Sequence, residues 1–322
     1  MIEFGQTAPE DAVRGQRKKQ ITEPVPYTNA QTLRIGYEVR YPWLFDRYPV
    51  EDYIERLDAT PTGTAYRHIA PEVKKFWNVV LDDYGQDALE SYNRVTMLVL
   101  IEKFDERSAG RNYPDSVIAR YRSSFKRIER TIGSSELGTY AHTSDIFLKD
   151  FAICRQKAFP AGGAHIVDEY SGFSRAALLS DGVGQFFRFL FFLLFVSRGN
   201  SPFYVTHTHL SEVDDFGPEG RNDCYARIAE MLERHPEMKG MYSSSWFNDP
   251  ALADISPRLA YLRRVPTENG AWLFRVGEDI EGGALAKSAT RRKLHEDGKY
   301  IPTAYLVVWP RRKIIAWAKR HK

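Results

Sequence analysis

The 322-residue chain has little sulfur: Cys154 and Cys224 are its only cysteines, and no CxxC spacing occurs. That excludes a disulfide framework and a cysteine-rich structural zinc site, and it fits a reducing, cytoplasmic setting. Charge of one sign is lacking too. The formal net charge is +3, which gives no electrostatic ground for a general nucleic-acid binder. The N-terminal "MIEFGQTAPEDAVRGQRKKQ" has none of the apolar core a signal peptide needs. Long hydrophobic runs are missing as well. The strongest, "FFRFLFFLLFV" (Phe186–Val196), is broken by Arg188 and has about half the length of a membrane span. It reads as a buried helix, with no membrane span anywhere. There is no internal repeat and no low-complexity segment.

What is present is aromatic. Phe, Trp and Tyr make up 13% of the residues, enough for wide packing surfaces or a ring-lined pocket. The order of elements predicts an α+β protein. Residues 1–32 read as a polar tail, basic in "RGQRKKQ" and proline-broken in "TEPVPYTN". Residues 33–198 read as mainly helical: "DALESYNRVTMLVLIEKF" carries Leu89, Tyr92, Val95 and Val99 on one stripe, and "YPDSVIARYRSSFKRIERTI" repeats the pattern after Pro114. Residues 199–322 read as an α/β layer with a mixed sheet. Strands are expected at "PFYVTHTHL", "KGMYSSSWF" and "GAWLFRVG", with helices between them, and "TAYLVVWPRRKIIAWA" reads as a hairpin turning at "PRRK".

Candidate chemistry gathers at the ends of these strands. In "FYVTHTHL", His207 and His209 stand two apart, so a strand would project both imidazoles from one face. Such a pair can supply a general base near neutral pH or hold a divalent metal. Glu212 follows as a carboxylate able to orient an imidazole. Asp249, after the next strand, is the carboxylate expected to meet the histidines across the sheet; it also has the makings of a helix cap ahead of Pro250. Ser245 and Trp246 in "SSSWFNDP" would line a pocket at a strand's carboxyl end, where α/β layers bind ligands. Arg258 and Arg291 sit early in expected helices, against the dipole preference, which marks them as candidate substrate contacts. "FGPEGRNDCYARIAEML" places Gly217, Gly220 and Arg221 at a helix entry, where exposed N–H groups and a basic side chain suit an anion; a plain turn capped by Asn222 or Asp223 is the simpler alternative.

The succession of strand "FYVTHTHL", glycine-bearing turn, helix "CYARIAEML", strand "GMYSSSWF", helical "DPALADISPRLAYLRR" and strand "GAWLFRVG" resembles the acyl-CoA half of the GCN5-related acetyltransferase superfamily. The resemblance runs from Phe203 to Val276. It implies acyl-CoA as cofactor, its pyrophosphate held at Phe216–Arg221, where "FGPEGR" replaces the family's usual Q/R-x-x-G-x-G/A loop. Three readings follow. The first is a small-molecule transferase of biosynthetic metabolism with a His/Asp general base. The second is a metal-dependent hydrolase or lyase on the His-x-His pair. The third is a non-catalytic partner subunit, or a homo-oligomer, docking through the "FFRFLFFLLF" helix.

Overall fold

The computed structural model describes residues 30–59, 65–134, 136–170, 172–173, 177, 179–281, 283–286 and 288–321. Most of the expected polar tail lies outside them, and Ala30 already opens a helix. The chain is α+β, a run of helices followed by a six-stranded mixed sheet with helices. It divides into two compact units, with the division at Pro160 and Ala161.

The first unit is built from α1 (Ala30–Arg40), α2 (Pro42–Arg47), α3 (Val50–Asp58), α4 (Pro71–Tyr84), α5 (Gln86–Glu102), α6 (Phe104–Ser108), α7 (Asp115–Ser134) and α8 (Asp145–Cys154). The core helix is α5, buried without a break from Ala88 to Leu100. A helix buried all round must satisfy its own charges. Here Arg94 donates to Glu90 at 2.7 Å one turn back, to the Ile132 carbonyl at 3.0 Å and to the Glu136 carbonyl at 2.8 Å. Glu90 in turn accepts from the N–H groups of Gly138 and Tyr140. The amphipathic reading of α7 is borne out: Val117, Tyr121, Phe125, Ile128 and Ile132 are all buried.

The second unit carries the sheet, in the order β1-β2-β3-β4-β6-β5. The strands are β1 (Ala158–Gly162), β2 (His165–Tyr170), β3 (Phe203–Thr208), β4 (Gly240–Ser245), β5 (Trp272–Glu278) and β6 (Thr303–Pro310). Thus the sheet begins some forty residues before Gly199, the boundary expected from the sequence. "AFPAG" is buried at every position, so it lacks the alternation that announces a strand, and its proline and glycine read as a loop.

Helices α9 (Gly182–Phe191), α10 (Pro218–Arg234), α11 (Leu252–Ile255), α12 (Tyr261–Glu268), α13 (Gly283–Ala286), α14 (Ala289–Glu296) and α15 (Arg311–His321) complete the unit. On one sheet face Phe189 and Phe192, from α9 and the π-helical turn Phe192–Val196, pack with Phe203, Val205, Tyr242, Phe274 and Leu306. Burial of each such ring contributes about 1.5–3 kcal/mol. Tyr225 of α10, Trp309 of β6 and Trp317 of α15 pack together, with centroids 5.1–5.8 Å apart.

Two expectations are corrected here. "RRKIIAWAKRH" is the helix α15, not the return strand of a hairpin: Ile314, Trp317 and Ala318 are buried at helical spacing. The "FFRFLFFLLFV" helix is buried on one side only, since Phe187, Phe191, Leu194 and Phe195 are each more than half exposed. No described helix is long and apolar enough to cross a membrane.

Candidate functional site

Strands β3 and β4 run parallel and pair only at Tyr204↔Met241 and Val205↔Tyr242. Beyond that, β3 continues to Thr208 along β2, and β4 continues to Ser245 along β6. The two strands therefore fork toward their carboxyl ends. The carboxyl ends of parallel strands are where such layers take ligands.

His207 stands on the β3 prong. Its partner in β2 is Ile166, and Asp168, two residues on, shares its face of the sheet. His207 Nε2 lies 2.9 Å from Asp168 Oδ1; the carboxylate is buried and the imidazole partly open. With the carboxylate as acceptor, Nε2 carries the hydrogen, and in the neutral ring the basic lone pair is then on Nδ1. Glu212 and Asp249 were the carboxylates expected beside the histidines; the carboxylate that contacts His207 is Asp168. "HIVDEY" carries no apolar–polar alternation to announce a strand, and it falls in the stretch expected to be mainly helical.

His209 does not join His207. It lies just past the strand, fully buried, with its N–H donating to the Ala164 carbonyl at 2.6 Å and its Nδ1 accepting from Ser211 N–H at 3.3 Å. It holds the 3-10 turn Leu210–Asp215, in which Glu212 is half-buried and donates its N–H to the His209 carbonyl. Among the described residues no group of three or more His, Cys, Asp or Glu is placed to hold a metal.

Asp249 is engaged elsewhere. Oδ1 accepts from Ala251 N–H at 3.0 Å, and Oδ2 accepts from the Tyr300 hydroxyl and Thr303 N–H, both at 3.2 Å. These bonds tie the segment after β4 to the start of β6. Burial pushes the carboxyl above the ordinary carboxylate range, and the N–H and hydroxyl donors oppose that shift. The shared recess expected for the two histidines and Asp249 is not formed through any hydrogen bond of this carboxylate.

At the β4 prong, Ser245 accepts from Phe247 N–H at 3.2 Å and so caps the turn Trp246–Asn248. Trp246 is buried, stacked on Phe247 at 4.0 Å and covered by the Arg291 guanidinium at 4.6 Å. Arg291 is itself fully buried and donates to the Ala284 carbonyl and to Ser256 Oγ. Its early place in α14 thus serves packing. Arg258 is exposed on the turn Pro257–Leu259.

The glycine-bearing turn lies beside the fork. Helix α10 starts at Pro218 with Gly217 as N-cap and no side-chain cap, a turn earlier than Asn222 or Asp223 would set it. The N–H groups of Glu219 and Gly220 thus stand in the first turn, where no carbonyl of the helix reaches them. Gly220 packs against Gly163 in the β1–β2 turn. Phe216 lies between His165, at 5.9 Å, and Phe247, at 5.6 Å. One turn into the helix, Arg221 is buried, its guanidinium 4.6 Å over the Tyr225 ring and 4.0 Å from Cys224 Sγ. No carboxylate among the described residues pairs with it. Burial, the largest influence, lowers this guanidinium, and the Tyr225 phenol, the Cys224 thiol and the Tyr261 phenol together hold it above its ordinary value. Burial likewise pushes the nearby Tyr261 phenol up to about 12.

No family model matches the chain, and no curated protein matches it. Among solved structures it is similar to an acyltransferase in complex with decanoyl-CoA and teicoplanin, at a TM-score of 0.40 and 12% identity over 88% of this chain and 100% of that one. It is also similar to an acyltransferase in complex with CoA and 10C-teicoplanin, at a TM-score of 0.42 and 13% identity over the same shares. Superposition at this level is loose and assigns no activity to this chain.

Proposed function

We propose that this protein transfers an acyl group from a coenzyme A thioester to a small-molecule acceptor. His207 is the general base and Asp168 the group that orients it. The observation that carries the reading is the His207–Asp168 pair on one prong of the β3/β4 fork. An extended, amide-bearing donor such as the pantetheine arm suits the fork between the prongs, lying along it as an added strand would. Its diphosphate suits the uncapped start of α10 at Gly217–Gly220, with the buried, acid-free charge of Arg221 one turn behind. Ser245 and Trp246 shape the opposite prong, and Asp249 fixes its geometry.

In the transfer, His207 Nδ1 takes the proton from the acceptor's N–H or O–H. The freed lone pair bonds to the thioester carbonyl carbon. The C–S bond then breaks, the sulfur leaves with its electron pair, and the proton passes from His207 to that thiolate. The products are the acylated acceptor and free coenzyme A. General-base catalysis of this kind contributes about 10²–10⁴ in rate.

The test joins titration with coenzyme A thioesters, followed by calorimetry, to release of free thiol in the presence of amine and alcohol acceptors. Wild-type protein is expected to bind an acyl-CoA. His207→Gln should keep that affinity and lose turnover by the factor above; Asp168→Asn should fall between them. Absence of binding for every thioester, or full turnover in His207→Gln, would remove this reading.

A further inference from the structure

Among the described residues of the unit that carries the sheet, an apolar stripe is exposed along α9. Leu179, in the turn before α9, and Val183, Phe187, Phe191, Leu194 and Phe195, along α9 and its π-helical extension, are exposed by 77, 71, 62, 51, 58 and 68%. They lie on the side of the helix turned away from Gln185, Phe189 and Phe192, which are buried. At about 150–250 Å² for a ring or large side chain, these fractions expose on the order of 700 Å² of apolar surface. The largest patch on a monomer is about 300–600 Å², whereas a stable interface takes about 800 Å² from each partner.

We infer that a second copy of this chain covers the stripe, with the two α9 helices packed antiparallel about a two-fold axis. Such an interface is self-complementary. With the axis near Phe189, Val183 of one protomer lies opposite Phe195 of the other, and Phe187 opposite Phe191. The same register sets Asp181, at the N-cap of α9, beside Arg198, just past its C-terminal end; both are exposed. Each interface then gains two opposite-charge pairs at its rim, and the helix dipoles run antiparallel. A lipid surface fits less well. Helices that lie on membranes pair an apolar face with a basic polar one, and the only cation within α9 is Arg188. Its guanidinium lies over the rings of Trp272 and Phe274, 5.5 and 5.3 Å from their centroids.

Sedimentation velocity across micromolar concentrations tests this on the full chain. Wild type should form a dimer, and Phe187→Asp should weaken it by at least roughly 30-fold, the loss of one hot-spot residue. Asp181→Arg and Arg198→Asp should each weaken it, and the double reversal should restore it. Phe187 is exposed, so at protein concentrations low enough for both to be monomeric its variant should unfold at the wild-type urea concentration. If it does not fold, Phe195→Asp and the charge series probe the same face. A wild-type monomer, a dimer indifferent to Phe187→Asp, or a double reversal that restores nothing would overturn the inference. So would a monomer that co-sediments with phosphatidylcholine or phosphatidylglycerol vesicles through this stripe.

Discussion

Gly163, in the turn between β1 and β2, packs against the backbone of Gly220 in the first turn of α10, and no side chain fits between them. A Cβ on Gly163 would strike the Gly220 carbonyl and come within 2.9 Å of Arg221 N; its φ of +59° also disfavours any L side chain. Gly163→Ala should therefore destabilise the chain by roughly 1–3 kcal/mol, read from urea unfolding. Because the displaced element is the start of α10, affinity for coenzyme A should fall more than the fraction folded does. Gly298, also at positive φ but with open space around it, supplies a comparison in which only the backbone term acts.

The Glu90–Arg94 pair is buried on both sides, at 0 and 1% side-chain exposure. Removing one partner of such a pair leaves a charge without compensation and costs about 3–5 kcal/mol. Arg94→Met should show that loss in the urea midpoint. Glu90→Gln should cost less, since an amide oxygen can still accept from Gly138 and Tyr140 N–H. The double variant should be more stable than Arg94→Met alone, a coupling that a double-mutant cycle measures.

The Tyr300 hydroxyl donates to a buried carboxylate at Asp249, and bonds to charged groups contribute about 1.5–3 kcal/mol. Tyr300→Phe should lose an amount in that range. Asp249→Ala should lose more, because Ala251 N–H, Thr303 N–H and the phenol all lose their acceptor. Both variants loosen the segment beyond β4 and leave the base in place, so turnover per folded molecule should fall by less than in His207→Gln. A loss of turnover as large as that of His207→Gln would instead put Asp249 in the chemistry.

The parts of this fold that were legible from sequence are those with periodicity. The stripes of α5 and α7 and the strands β3, β4 and β5 announced themselves, and with them the place of His207 within β3. Three features were hidden for physical reasons. The pairing of His207 with Asp168 depends on strand register between segments 39 residues apart, which no local pattern encodes. "AFPAG" is a strand by its neighbours and not by its residues. Asp249 and Arg291 looked poised for ligands because charge near helix starts is conspicuous, yet burial had already given each an internal partner.

Asp279 titrates under burial alone, with no opposing partner. Its carboxyl is held above the ordinary carboxylate range, so folding favours the protonated form. The native state therefore binds more protons than the unfolded chain at pH values between the ordinary range and the raised one. Stability contributed by this group must rise as pH falls through that window and be absent above it. Asp279→Asn removes the buried charge at neutral pH. It should raise the urea midpoint there by a small amount, because water screens a half-exposed carboxylate, and the gain over wild type should shrink as pH falls toward the ordinary carboxylate range. A variant whose advantage is the same at every pH would show that the carboxyl is not perturbed by burial at this position.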